Sequence, residues 1–124
     1  MTTEADPGIP TLLASTIDCH DLELMTGFWG GLLDVETTIE EPFGFLAPSR
    51  DRRVTLWLQR VDDEFVGKNR VHVDLVVEDL GAALERVAEL GGEVGDEQRW
   101  LSYVWQTCAD PEGNLFDIMQ AQAV

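Results

Sequence analysis

The chain has 124 residues, enough for one domain with its own hydrophobic core, and its 44% hydrophobic and 26% charged residues are typical of a globular protein. Its formal net charge of −16 argues against binding to nucleic acid or to an anionic membrane surface, and is compatible with a cationic small ligand. The sequence has no apolar run long enough to span a membrane, and its two cysteines do not suggest a disulfide framework, so a cytoplasmic protein is expected.

The first half of the chain predicts a module of one strand, one helix and three strands. Residues 1–10 are expected to be a flexible tail without the features of a signal peptide, and the module occupies residues 11–60. Its first strand is predicted over residues 11–18, and Asp21 is placed to cap the helix that follows. Apolar residues recur in this helix every three or four positions, which is typical of a core-facing stripe: Leu22, Met25, Phe28, Trp29, Leu32 and Leu33. Three strands are predicted near residues 35–39, 44–47 and 54–60.

The second half repeats this plan. Residues 61–69 are polar and are predicted to form a linker, and the second module occupies residues 70–124. Asp79 is placed to cap its helix as Asp21 caps the first, 58 positions earlier, and the glycines at 91 and 92 indicate where the helix ends. Strands are predicted near residues 70–77, 93–97, 102–108 and 115–120, with a tight turn at residues 110–114. Such an internal repeat indicates a pseudo-symmetric domain.

The predicted fold is α+β, with two pseudo-symmetric βαβββ modules that form a cup-shaped mixed β-sheet. Each helix can cover only one face of its strands, so the opposite faces are expected to line the cup. Because side chains alternate along a strand, the expected lining residues are Ala14, Thr16, Trp57, Gln59, His72, Asp74, Asp117 and Met119.

Three segments carry a resemblance to a known family. They are residues 21–35, with the first helix and its aromatic pair, residues 72–80, with His72, and residues 109–117, with the turn into the last strand. In this order, and with the repeat, they resemble the vicinal oxygen chelate superfamily of glyoxalase and bleomycin-resistance-like proteins. The resemblance spans roughly residues 11–121, and it implies a cup that holds a small molecule and a chain that forms a homodimer.

The resemblance also implies positions for a metal ion. In metal-dependent members the ligands fall on the first and last strands of each module, which here means Ala14, Gln59, His72 and Asp117. Ala14 cannot coordinate a metal, so the implied site is incomplete and would use Gln59, His72 and Asp117 for a divalent ion such as Ni, Zn, Mn or Fe. Asp74, on the strand face of His72, is a further candidate to orient a ligand or to move a proton, so His72 and Asp74 are the candidate catalytic residues.

Several functions remain open on these residues. With a metal, the protein would resemble a lyase, isomerase or dioxygenase; without one, His72 and the nearby carboxylates could be polar groups of a binding pocket. Indole rings suit planar or cationic ligands, so Trp57 and Trp105 would favour a non-catalytic, antibiotic-sequestering protein, with a ligand pocket of Ala14, Thr16, Trp57, Met119 and Trp105. Ordinary packing in the core or in a dimer interface would explain the same tryptophans.

Overall fold

The structure is a computed structural model that describes residues 7–8, 14–48, 55–69 and 71–122. It contains ten elements in two runs of identical order. The first run is β1 (Ser15–Cys19), α1 (Leu22–Leu33), β2 (Thr37–Glu40), β3 (Phe43–Leu46) and β4 (Leu56–Arg60). The second run is β5 (Asp74–Val77), α2 (Leu80–Glu89), β6 (Glu93–Trp100), β7 (Tyr103–Ala109) and β8 (Leu115–Gln120).

Each run of elements forms its own four-stranded mixed sheet. Sheet A has the strand order β1-β4-β3-β2 and sheet B has the equivalent order β5-β8-β7-β6. In both sheets the first strand of the module pairs in parallel with the last, and the other pairs are antiparallel. The predicted fold class is therefore confirmed: the protein is α+β and consists of two βαβββ modules.

Helix α1 begins where the sequence predicts, directly after Asp21. The side chain of Asp21 accepts a hydrogen bond from the backbone N–H of Leu24 at 3.1 Å, which satisfies one of the free donors of the first turn. The helix ends at Asp34, which adopts a left-handed backbone conformation with φ of 54°. It packs on β2, β3 and β4, and Gly44 in β3 allows the close approach because a Cβ atom there would collide with Thr26.

Helix α2 has an aspartate N-cap like that of α1, but it is less buried. Asp79 caps it by accepting a hydrogen bond from the backbone N–H of Ala82 at 3.1 Å, and Gly91 follows it with a positive φ of 96°. The helix packs on β6 and β8, and Val87 is its one fully buried residue, whereas α1 buries six. Arg86 of α2 donates from Nε and Nη2 to the carbonyl oxygen of Gly31, which ties the two helices together.

A single hydrophobic core joins the two modules. Phe28 and Trp29 of α1 contact the ring of Phe116 in β8, with centroid distances of 6.1 and 4.8 Å. The prediction that Trp29 lies in the core is confirmed, since its side chain is fully buried. The buried apolar residues form one cluster: Cys19, Leu22, Met25, Phe28, Trp29, Leu46, Leu56, Leu58, Val87, Cys108, Phe116 and Ile118. Each sheet therefore turns one face, its core face, towards a common interior and its other face, here called the outward face, away from it.

The strand boundaries differ from the predictions mainly at the start of each module. Residues 11–13 and 54 fall outside the described residues, so β1 and β4 are described only from Ser15 and Leu56. In the second module β5 begins at Asp74, four residues later than predicted, and Val71 is 83% exposed instead of lying on the core face. Strand β6 extends further than predicted, to Trp100. Among the described residues, no helix is long and apolar enough to cross a membrane.

Candidate functional site

The outward face of sheet B carries a group of three polar side chains, His72, Asp74 and Asp117, here called the His72 cluster. Asp74 in β5 lies directly opposite Asp117 in β8, and His72 precedes β5 on the same face. The His72 Nε2 atom lies 3.3 Å from Asp74 Oδ1 and 3.3 Å from Asp117 Oδ2. Potential ligand atoms of all three residues lie within 4.8 Å of one another. These three side chains, all candidates from the sequence, are thus brought together.

The cluster is open on one side and supported on the other. The side chains of His72 and Asp74 are 42% and 69% exposed, whereas that of Asp117 is only 18% exposed. Thr107 in β7 donates from Oγ1 to Asp117 Oδ1 at 2.7 Å, which leaves Oδ2 directed at His72. Sequence reasoning missed Thr107. Its strand was predicted, and pairing of that strand with β8 would have placed Thr107 opposite Asp117.

The outward face of sheet A is aromatic instead of charged at its centre. Trp57 in β4 pairs with Phe45 in β3 on one side and with Thr16 in β1 on the other. The rings of Trp57 and Phe45 meet edge to face with centroids 5.4 Å apart, and Phe43 continues the row 6.0 Å from Phe45. These side chains form a partly exposed apolar wall that could contact an organic ligand.

Apolar side chains also flank the His72 cluster on sheet B. Trp105 in β7 pairs with Met119 in β8, which in turn lies opposite Val76 in β5. Val76 is 70% exposed and continues this apolar row, and contiguous exposed apolar surface commonly marks an interaction site. Trp100 and Tyr103 extend this surface with stacked rings whose centroids are 6.1 Å apart.

The other candidate metal ligands lie on a different sheet. Gln59 is on the outward face of sheet A, opposite Asp18, and among the described residues its side chain has no hydrogen bond with the His72 cluster. Ala14 is half-buried just before β1 and offers no ligand atom. Of the four positions implied by the family resemblance, His72 and Asp117 thus come together on sheet B, Gln59 lies on sheet A, and Ala14 carries no ligand atom.

A second polar group joins the modules and lies apart from the His72 cluster. The carboxylate of Glu112 accepts hydrogen bonds from the backbone N–H groups of His20 and Asp21, at 2.8 and 2.7 Å. The neighbouring carboxylate of Asp110 is buried and accepts from Trp29 Nε1 and from Asn114. Burial raises the pKa of Asp110, and these hydrogen bonds oppose part of that rise. The turn at residues 110–114, which carries Asp110 and Glu112, thus connects sheet B to the start of α1 and has a structural role.

Both cysteines are free and buried, and neither is suited to nucleophilic catalysis. Burial, together with repulsion from carboxylates such as Glu112, raises the pKa of the Cys19 thiol to about 11. Burial also raises the pKa of Cys108. A reactive cysteine needs the opposite shift, because the thiolate is the nucleophile.

One concave region of the described surface lies away from the His72 cluster. A cavity of about 500 Å³ is bordered by the C-terminal turn of α1, by β5 and by α2. Its apolar floor includes Leu32, Leu75 and Ile118, and several glutamates lie at its rim. None of the residues predicted to line the cup borders this cavity, although Asp74 belongs to β5, whose other residues do. The candidate site is therefore described by the exposed sheet faces and not by this cavity.

Comparisons with known proteins agree with this architecture. Residues 14–119 match the family model described as Glyoxalase-like domain. The fosfomycin resistance protein FosX from Mesorhizobium loti has a similar structure, with a TM-score of 0.72, 18% identity, and coverage of 92% of this chain and 94% of that chain.

Two further solved structures show the same fold. A glyoxalase/bleomycin resistance protein/dioxygenase family enzyme from Burkholderia phytofirmans PsJN matches with a TM-score of 0.76 and 12% identity, over 88% of this chain and 97% of that chain. A glyoxylase/bleomycin resistance protein/dioxygenase domain from Frankia sp. EAN1pec matches with a TM-score of 0.69 and 15% identity, over 93% of this chain and 100% of that chain. No curated protein sequence matches the chain significantly. The match to the family model over most of its length shows that the chain belongs to the glyoxalase-like domain family.

Proposed function

We propose that this protein binds a small organic molecule between the outward faces of its sheets, in a cup that two copies of the chain complete together. One observation carries the proposal: the outward face of sheet A presents partly exposed aromatic side chains, and the outward face of sheet B presents partly exposed apolar side chains around a polar group. Pockets for small molecules commonly combine such walls with a few polar groups that fix orientation.

The arrangement of the two sheets explains why a second copy is needed. Within one chain the core faces share an interior through α1, so the outward faces point away from it. No strand of sheet A pairs with a strand of sheet B among the described residues, and β1 and β5 are both edge strands. A cup with both linings would therefore place sheet A of one copy beside sheet B of the other. This is the homodimer that the resemblance implied, with one pocket at each junction.

The side chains favour a planar ligand that is neutral or positively charged. Trp57 and Phe45 offer flat apolar surfaces, and an indole face attracts cations within about 6 Å of its centroid. Asp74 and Asp117 add two carboxylates on the opposite lining, and the formal net charge of the chain is −16. Among the similar structures, the FosX proteins are named for antibiotic resistance, which supports a role in antibiotic capture as one form of this function. The unpaired cysteines are consistent with the expected cytoplasmic location.

A metal-dependent enzyme is the second candidate function, and the close approach of His72 to Asp117 favours it. The expected reaction classes are those of a lyase, isomerase or dioxygenase. Gln59 would have to come from a partner copy, since it lies on the outward face of sheet A.

Tryptophan fluorescence tests the binding proposal. A planar aromatic cation such as proflavine should quench the wild-type emission, and Trp57→Phe should reduce that quenching by the share that comes from Trp57. Trp29→Phe is the matched control, because Trp29 is fully buried and its loss should leave the quenching of Trp57 intact. Sedimentation equilibrium should give twice the chain mass.

Two results would contradict the proposal. Quenching that persists unchanged in Trp57→Phe would remove Trp57 from the binding surface. A chain that stays monomeric at about 100 μM, well above the Kd expected of a standard-sized interface, would remove the shared cup.

A further inference from the structure

We infer that the cavity between the C-terminal turn of α1, strand β5 and helix α2, here called the α2 cavity, binds an alkylammonium cation. Its volume of about 500 Å³ lies within the range of roughly 300–1,000 Å³ that is usual for small-molecule sites. None of the residues predicted to line the cup borders it. The α2 cavity is therefore a second site, and its ligand does not depend on the proposed cup.

The two modules differ at a core position beside this cavity. In α1 that position is Met25, whose side chain is fully buried. In α2, 58 positions later, it is Ala83, and Ala83 lines the cavity. An alanine leaves empty the space that a longer side chain would fill, and empty space in a core is unfavourable unless something occupies it. The second module thus has room for a ligand where the first is packed by its own side chain.

The wall of the α2 cavity is apolar. Leu75 and Val77 of β5 line it together with Leu32 and Leu33 of α1, and all four are only half-buried. Removal of such apolar surface from water is favourable in proportion to its area. Among the described residues that line the cavity none is aromatic, so an aliphatic chain suits it better than a planar ring.

The rim of the α2 cavity is negatively charged. Three exposed glutamates lie on it: Glu78, Glu85 and Glu89. Glu85 and Glu89 are four positions apart in α2, a spacing at which two like charges destabilise a helix. Among the residues that the structure describes, no Lys or Arg forms an ion pair with any of the three. A positive charge on the ligand would relieve this repulsion.

The end of α1 adds to the negative character of the cavity. A helix C-terminus carries a partial negative charge, and α1 has no basic residue in its last turn. Leu32 and Leu33 of that turn line the cavity. Arg86 donates to the carbonyl oxygen of Gly31 and so meets part of this charge. An ammonium group at the rim would meet the rest of it, while the alkyl chain covers the apolar wall.

Isothermal titration of the full chain with octyltrimethylammonium, below its micellar concentration, tests the inference. Wild type should bind one cation per chain, and octanoate, the matched anion, should bind about tenfold more weakly or not at all. Ala83→Met should weaken cation binding about tenfold or more, because the longer side chain fills the cavity. Ala88→Met is its control, since Ala88 is exposed on α2 and does not line the cavity.

A pair of double variants tests the charge at the rim. Glu85→Gln/Glu89→Gln should weaken binding about fivefold, whereas Glu23→Gln/Glu93→Gln should change it less than about twofold, because those exposed glutamates lie away from the cavity. These charge variants decide the question even if Ala83→Met fails to fold. Equal weakening by the two pairs would reduce the effect to a diffuse acidic surface and overturn the inference.

Three further results would also overturn it. Octanoate that binds as tightly as the cation would leave no role for the rim. Equal binding by Ala83→Met and wild type would place the cation elsewhere. Absence of binding, with Ala83→Met changing the sedimentation of the protein, would show that a second copy covers the cavity. Ala83→Met should leave the proflavine quenching intact, and Trp57→Phe should leave alkylammonium binding intact, so the two sites are tested separately.

Discussion

The two modules share one plan of elements, yet they make opposite contributions to the protein. The first supplies the central helix α1, which buries six residues, and an outward face dominated by Trp57 and Phe45. The second supplies a peripheral helix with one buried residue and an outward face that carries the His72 cluster. Two modules with the same order of elements thus differ in role. The first contributes most of the buried helix surface, and the second carries the His72 cluster.

The largest expected effect is on the free energy of unfolding, and it compares the two helices. Trp29→Ala should lower the free energy of unfolding by about 4 kcal/mol, because it removes a fully buried ring that contacts both Phe28 and Phe116. Leu84→Ala in α2 should cost only about 2 kcal/mol, since that side chain is half-buried. Urea unfolding measures both values. Equal losses would show that α2 is as central as α1.

The substitution Ala14→His would make the outward faces of the two sheets more alike. Ala14→His would restore an imidazole to the first module, and in the proposed dimer it should raise Zn²⁺ affinity about tenfold, equivalent to roughly 1.4 kcal/mol. Ser15→His is the control, because Ser15 is the next residue, at the start of β1, and alternation along the chain directs its side chain to the other face. A similar gain in both variants, measured by calorimetry, would mean that any added histidine binds zinc and that position 14 is not special.

A further comparison concerns the reactivity of the one buried cysteine of each module. The pKa of Cys19 is raised to about 11, so its thiol should react with Ellman's reagent at pH 8 roughly a hundredfold more slowly than a free cysteine. Because the pKa is higher in the folded state, the associated stability is present below pH 9 and is lost as the pH rises through about 11.

Single-cysteine variants separate the two thiols in this comparison. In Cys108→Ser the remaining Cys19 should react more slowly than Cys108 does in Cys19→Ser, since more carboxylates surround Cys19. Fast reaction of Cys19 in the folded protein would show that the end of β1 opens to solvent.

Local patterns predicted most of the elements and the faces of their side chains. Apolar spacing and the capping residues Asp21 and Asp79 placed both helices, because these signals act within a few residues. Alternation correctly placed His72, Asp74 and Asp117 on one face of one sheet. Val71 was misplaced because the alternation was extended beyond the point where pairing with β8 begins.

The relation between the modules could not be read from the same patterns. Alternation separates the two faces of a strand, but it does not say which faces of different sheets pack together. Trp29 meets Phe116 and Asp110 across more than 80 positions of sequence, and Thr107 meets Asp117 across a hairpin. Such contacts depend on tertiary packing, so Thr107 was missed, and the expectation that Gln59 joins His72 and Asp117 at one metal ion stays a prediction.

The contact between Glu112 and the start of α1 has a consequence for synthesis of the chain. His20 and Asp21 lie 92 and 91 positions before the carboxylate that receives their backbone N–H groups. On the ribosome, α1 therefore emerges long before the turn that completes its N-terminus and before the ring of Phe116 that covers Trp29. The aromatic surface of the first module therefore stays uncovered at least until Phe116 has been translated.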